Sequence, residues 1–152
     1  MHNHAPKGYD CFMCTYSKGD DTDLCTQDDI VWQDERILAY VSPKWWPNIS
    51  GNVIIIPREH FENIYDTPDE LLAEMNVLAK KIAIAMKKSY GCEGTSLRQH
   101  NEPAGGQEAF HYHLHVMPRW KDDDLYISHK QSRFVSHGER KPYVEKLRKM
   151  LN

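Results

Sequence analysis

Residues 67–91 do most to limit what this chain folds into, because they carry the start, the buried face and the stop of a long helix. Thr67 can cap, Pro68 suits the first helical position, and Glu70 completes a capping box. Leu71, Leu72, Met75, Leu78, Ala79, Ile82 and Met86 recur at helical spacing and make one apolar stripe. Acidic residues open the helix, Lys87 and Lys88 close it, and Gly91 terminates it, as the helix dipole and a left-handed C-cap favour. Strand-like runs lie on both sides. Val31-Trp32 and Ile37–Val41 flank Asp34-Glu35 as a hairpin, and Gly51–Ile56 is a β-branched run stopped by Pro57. Thr95–His100 and Phe110–Met117 follow the helix, the second ended by Pro118. Pro43 and Pro47 consign the residues between them to loop or sheet edge. Pro142–Leu151 reads as a terminal helix with Val144, Leu147 and Leu151 on one side. Strands, helix, then strands with short links predict an α+β fold: an antiparallel sheet of about five strands with one long and one C-terminal helix.

The chain has 152 residues, 40% hydrophobic and 27% charged, which predicts one domain over 1–152 with an ordinary buried core. Residues 1–10 read as a loose tail and 120–152 as a C-terminal extension. No run approaches the ~18–20 apolar residues of a membrane helix, and no secretory signal opens the chain, so a cytoplasmic protein without membrane partners is expected. The net charge of −3 argues against a nucleic-acid partner, which calls for a basic face. Four cysteines are present, two of them as Cys11-x-x-Cys14. Without an export signal, metal or redox chemistry explains that pair better than a disulfide. No βαβ pattern surrounds it, which disfavours a thioredoxin-like role.

Three of the nine histidines fall within five residues, at 111, 113 and 115. On a strand, alternate residues share a face, which sets these rings about 6.6–7 Å apart with Leu114 and Val116 turned to the core. Three imidazoles on one exposed face each need polar partners and are costly as mere packing. Such a pattern serves either nucleophilic and acid–base chemistry or a catalytic metal gripped by His-x-His. The loop immediately before it, from Asn101 through Gly105, Gly106 and Gln107, offers backbone amides and a side-chain donor suited to cradling a phosphate. That neighbour favours the first reading.

The segments Asn101-Glu-Pro-Ala-Gly-Gly-Gln107 and Phe110-His-Tyr-His-Leu-His-Val-Met-Pro-Arg119 resemble the motif of the histidine-triad (HIT) family, and Val53-Ile-Ile-Ile-Pro-Arg-Glu-His60 resembles that family's earlier strand and loop. The order of elements from Cys11 to Arg119 agrees, and the likeness is greatest to bacterial members of the Hint-like branch. The resemblance implies a HIT-like fold and a hydrolase that cleaves nucleotide derivatives at the α-phosphate. It places His113 as the nucleophile that forms a nucleotidyl-imidazole intermediate, with His115 assisting at a phosphate or leaving-group oxygen. Asn101, Gly106, Gln107, Glu108 and Asn52 are implied around the phosphate and nucleotide. The same likeness implies a structural Zn²⁺ held by Cys11, Cys14, His60 and His111, no organic cofactor, and a homodimer whose C-terminal segments approach the partner's site.

Three departures from the family pattern stand out. Asn52 occupies a position where many relatives carry a histidine, and it cannot titrate. Glu108 stands where relatives have a phosphate-binding hydroxyl, so its carboxylate has to turn away. The loop 42–50 is longer and carries Trp45 and Trp46, suited to burial, a dimer contact or stacking on a ligand. Expected substrates are nucleoside phosphoramidates, acyl adenylates or dinucleoside polyphosphates. Nucleotidyl transfer or phosphorolysis is the second reading, weakened by His115 where the transferase branch has glutamine. A non-catalytic nucleotide-binding or zinc scaffold is the third.

Overall fold

Five strands form one antiparallel sheet in the computed structural model, which describes residues 2–151 apart from the side chain of His129. They are β1 (Ile30–Gln33), β2 (Ile37–Val41), β4 (Val53–Pro57), β6 (Leu114–Arg119) and β5 (Gly94–Arg98), in that spatial order. Two short strands, β3 (Lys44–Trp45) and β7 (Arg133–Phe134), pair separately. The helices are α1 (Phe12–Ser17), α2 (Asp69–Tyr90) and α3 (His137–Leu151). The α+β class, the sheet and both long helices therefore stand as the sequence predicts. No helix among the described residues is long and apolar enough to cross a membrane.

The sheet is covered on both faces. Ile37, Ala39, Val41, Val53, Ile55, Leu114 and Val116 point to one side, where Leu71, Met75, Leu78, Ile82 and Met86 of α2 meet them with Val144 and Leu147 of α3. Leu38, Tyr40, Ile54 and Ile56 point to the other, against Met13 and Tyr16 of α1 and Cys25. Double coverage explains why β4 is an unbroken apolar run rather than an alternating one. Several element ends differ from the sequence reading: β4 starts at Val53 and includes Pro57, β5 ends at Arg98 short of His100, and β6 runs through Pro118 to Arg119. Three further starts differ for a local reason. The Thr67 hydroxyl donates to the Asn63 carbonyl at 2.8 Å instead of capping, so α2 starts at Asp69 with Pro68 as cap residue. In place of ladder bonds, the Tyr112 N–H donates to Phe61 O at 2.6 Å, which defers β6 to Leu114. Ser136 and Glu139 form a capping box, Glu139 N to Ser136 Oγ at 3.3 Å and Ser136 N to the Glu139 carboxylate at 2.9 Å, so α3 begins five residues before Pro142. Residues 2–10 hold no helix or strand, yet they are tied down: Asn63 Nδ2 donates to His2 O at 3.0 Å, and His4 Nε2 meets Glu102 at 2.8 Å.

Two contacts fasten α3 to the sheet. Gly51 has φ +78°, and a Cβ there would lie 2.2 Å from the Tyr143 ring, so only glycine admits the helix this close to the start of β4. The fully buried Asp29 accepts both Arg140 Nε at 2.9 Å and Nη2 at 2.7 Å, with His137 Nδ1 at 2.8 Å and the Thr26 amide at 2.9 Å. Burial alone would raise the Asp29 carboxyl; the bonds from Arg140, Thr26 and His137 outweigh it and hold it below the usual carboxylate range. A lowered folded-state pKa means the stabilisation is present above the unfolded value near pH 4 and is lost as pH falls through the lower folded value. Asp29→Asn is expected to cost about 3–5 kcal/mol at neutral pH by leaving Arg140 buried and unpaired. Urea melts from pH 7 downward should show the gap between variant and wild type narrowing in acid; a pH-independent gap refutes the linkage.

Candidate functional site

Cys11 caps α1 and Cys14 lies in its first turn, a geometry in which a C-x-x-C spacing turns two thiols to one side. Across from them stand His60, in the turn after β4, and His111, two residues before the ladder of β6 begins. One ligand atom from each of these four residues lies within 4.8 Å of the others. Cys11 Sγ is 3.3 Å and Cys14 Sγ 3.6 Å from His111 Nδ1, and Cys14 Sγ is 3.2 Å from His60 Nδ1. The outer nitrogen of His111 donates to the Pro57 carbonyl at 3.0 Å, the bond that commonly fixes a ligating imidazole from behind. Burial, then the neighbouring Cys11, pushes the Cys14 thiol up to about 11, and burial pulls His111 down to about 4. Cys14 and His111 thus resist charge on their own, whereas a divalent cation deprotonates a coordinating thiol outright. This donor set can hold a metal.

The other two triad histidines belong to a different space. His113 and His115 line a cavity of about 630 Å³, within the range of small-ligand sites, with ring centroids 5.1 Å apart. The triad does not lie on an open face as the sequence suggested: His111 is fully buried, His113 is 8% exposed and His115 is half-buried. His113 Nδ1–H donates to the backbone carbonyl of His111 at 2.7 Å. That bond fixes the tautomer and leaves the Nε2 lone pair uncommitted. Burial holds His113 below the ordinary imidazole value, the His111 bond only partly opposing it, and burial takes His115 well below.

The loop residues divide. Gly106 (φ +86°) and Glu108 line the cavity. The Glu108 carboxylate pairs with Lys44 Nζ at 2.6 Å, and Lys44 lines the cavity as well. Gln107 does not offer its side chain to the cavity. It is buried, with Nε2 donating to Glu62 O at 2.5 Å and Ala109 O at 3.1 Å, while Oε1 accepts from Glu102 N at 2.8 Å. The amides of Gly105, Gly106 and Gln107 are likewise engaged within the loop. Asn101 braces the same region, accepting from Ile64 N at 2.8 Å and pairing with Gln99. Asn52 lies outside the cavity wall, fully buried, and among the described residues its amide has no hydrogen-bond partner. Arg119 grips Asp123 at 2.6 and 2.7 Å, which anchors the 122–124 turn. Trp45 is structural, its Nε1 donating to Ser42 O at 2.8 Å and its ring set edge-on to Tyr143. Trp46 lines the cavity, together with Lys44, Arg98 and His100. Sequence reasoning passed over Lys44 and Arg98, because their place depends on strand register.

The fold agrees with that of known proteins. The HIT domain family matches residues 25–122 of this chain. The chain belongs to the HIT family. A Bacillus subtilis HIT relative named Protein hit is 31% identical over 114 residues, spanning 75% of this chain and 74% of its own. The Arabidopsis thaliana adenylylsulfatase HINT3 is 29% identical over 119 residues, covering 78% of this chain and 57% of its own. A Zn-bound histidine triad family protein from Mycobacterium smegmatis superposes with a TM-score of 0.74 at 28% identity, covering 93% of this chain and 92% of its own.

The bonding of Gln107 makes a prediction for this HIT chain. Gln107→Ala strands a buried carbonyl and the Glu102 amide and is expected to lower stability by about 1–3 kcal/mol. Denaturant unfolding checks this; unchanged stability with altered ligand binding would instead return Gln107 to the phosphate.

Proposed function

We propose that this HIT protein is a hydrolase that cleaves small nucleotide conjugates at the α-phosphate through a nucleotidyl-His113 intermediate. The observation that carries the reading is the 2.7 Å bond from His113 Nδ1–H to the His111 carbonyl, because it leaves Nε2 as the reactive nitrogen of an imidazole on the cavity wall. The Nε2 lone pair forms a bond to phosphorus as the bond from phosphorus to the leaving atom breaks, and that atom departs with the electron pair. Water then bonds to phosphorus, the N–P bond breaks with its pair returning to Nε2, and the water's proton passes to solvent. His115, on the same wall, hydrogen-bonds a phosphate or leaving-group oxygen. Nucleoside phosphoramidates, acyl adenylates and dinucleoside polyphosphates fit this chemistry. Likeness to an adenylylsulfatase supports hydrolysis of an adenylyl conjugate.

Within the same proposal Cys11, Cys14, His60 and His111 hold Zn²⁺ as a closed, structural site. The bound ion supplies a cross-link between α1, the turn after β4 and the approach to β6, and the residues at phosphorus act without it. The Zn-bound Mycobacterium smegmatis structure supports the assignment.

Two measurements test these assignments. His113→Ala is expected to lose about 10³-fold or more in turnover of an adenosine phosphoramidate and of diadenosine triphosphate while still unfolding cooperatively as a folded chain. A variant as active as wild type overturns the nucleophile assignment. Metal analysis of the purified chain is expected to find zinc, and Cys11→Ser to lose it with a lower melting temperature; full zinc retention in that variant refutes the ligand set.

A further inference from the structure

One rung of residues crosses the sheet through the cavity. Tyr40 of β2 pairs with Ile54 of β4, Ile54 with His115 of β6, and His115 with Arg98 of β5. Directly opposed residues of antiparallel strands share a face, so all four line the same cavity wall. The histidines divide that wall. On the β2 and β4 side, Tyr40 and Ile54 continue into Met13 and Leu24, a surface without charge. On the β5 side stands the guanidinium of Arg98.

Among the described residues every other arginine donates to at least one oxygen: Arg36 to Glu74, Arg58 to Gln33, Arg119 to Asp123, Arg133 to Glu139, Arg140 to Asp29 and Arg148 to Ile30. Arg98 has no oxygen partner among the described residues. Its Nη1 reaches Met117 Sδ at 3.7 Å and its Nη2 reaches His100 Nε2 at 3.3 Å, while its plane lies 5.5 Å from the centroid of the Trp46 ring. His100 is set to accept at Nε2 because its Nδ1 meets the Gly105 carbonyl at 2.7 Å. A half-buried cation is thus positioned by a thioether, an imidazole nitrogen and an aromatic face, none of which carries a negative charge to neutralise it. The other cation of the wall, Lys44, is neutralised by Glu108. Arg98 therefore gives the β5 side its uncompensated charge, directly beside His115, and a guanidinium fork with free donors suits the oxygens of a phosphate or sulfate.

We infer that Arg98 is a specificity residue that binds the leaving group, selecting nucleotide conjugates whose leaving group is itself an anionic phosphate, polyphosphate or sulfate over those that release an amine. The inference rests on the hydrolase reading above and adds to it the half of the substrate that departs. The phosphorus–oxygen bond breaks with its electron pair on the departing oxygen, and Arg98 holds a neighbouring anionic oxygen of that same group. An amine leaving group presents no such oxygen and gains nothing from Arg98.

The test compares kcat/KM of wild type, Arg98→Gln and Arg98→Lys on diadenosine triphosphate and on an adenosine phosphoramidate, with melting temperatures as a control for folding. Arg98→Gln is expected to lose about 10- to 100-fold on diadenosine triphosphate and less than about twofold on the phosphoramidate, with Arg98→Lys intermediate on the first substrate. Equal loss on both substrates would place Arg98 at the α-phosphate and overturn the inference, as would loss on neither. Should wild type turn over neither substrate, the hydrolase reading falls separately. Calorimetric titration with inorganic pyrophosphate then decides for the anion site: binding by wild type that Arg98→Gln abolishes upholds it, and equal binding or none removes it.

Discussion

His111 is the residue on which the rest of the site hangs, because its ring and its carbonyl serve two different neighbours. The ring lies among the Cys11, Cys14 and His60 donors and is held from behind by the Pro57 carbonyl. The carbonyl accepts from His113 Nδ1. This is open to it because the residue precedes β6 and its backbone is not committed to a neighbouring strand. Had the strand begun at Phe110, a ladder bond would compete for the same oxygen. Any displacement of the thiol–imidazole cluster is passed through one peptide unit to the nitrogen that faces the cavity.

Much of this was legible in the sequence, and the limits have physical causes. The α2 stripe, the Gly91 stop and the hairpin are local patterns, so spacing revealed them. The ends of α2 and α3 were shifted by side chains with two competing uses: Thr67 bonds back to Asn63, and Ser136 with Glu139 caps upstream of a proline that draws the eye. The histidine triad and the C-x-x-C were legible because they are local patterns, five and four positions of sequence long. Their burial was not, since it depends on what α1 and the loops place over the sheet. Gln107 and Asn101 were found as loop residues, but a side chain's partner is a matter of a few ångströms that spacing does not encode. Arg98 lay beyond reach for a different reason. Its importance comes from the register of β5 on β6, which joins it to His115 across seventeen positions of chain.

The cavity wall is built from elements far apart in sequence, and its asymmetry follows from the sheet order. Strands β2 and β4 bring apolar residues because both of their faces are covered; β5, an edge strand with half-buried and exposed positions alternating, is where a charged side chain is tolerated. The central histidines sit at the boundary between these two environments. A chain with the same motif but another edge-strand residue would keep the boundary and change one side of it.

The β3–β7 pairing has a consequence for what counts as the working unit. It brings Phe134 into the wall of the chain's own cavity, in the region where the family resemblance suggested the partner's C-terminal segment would approach. Cys11 and Cys14 lie before the span shared with the HIT domain, and Phe134 and Arg140 lie after it. A fragment trimmed to the shared span would keep the triad and lose two of the four clustered donors, the counter-ion of Asp29 and part of the cavity rim. In this chain the shared span supplies the triad, and the flanks supply walls that shape the cavity around it.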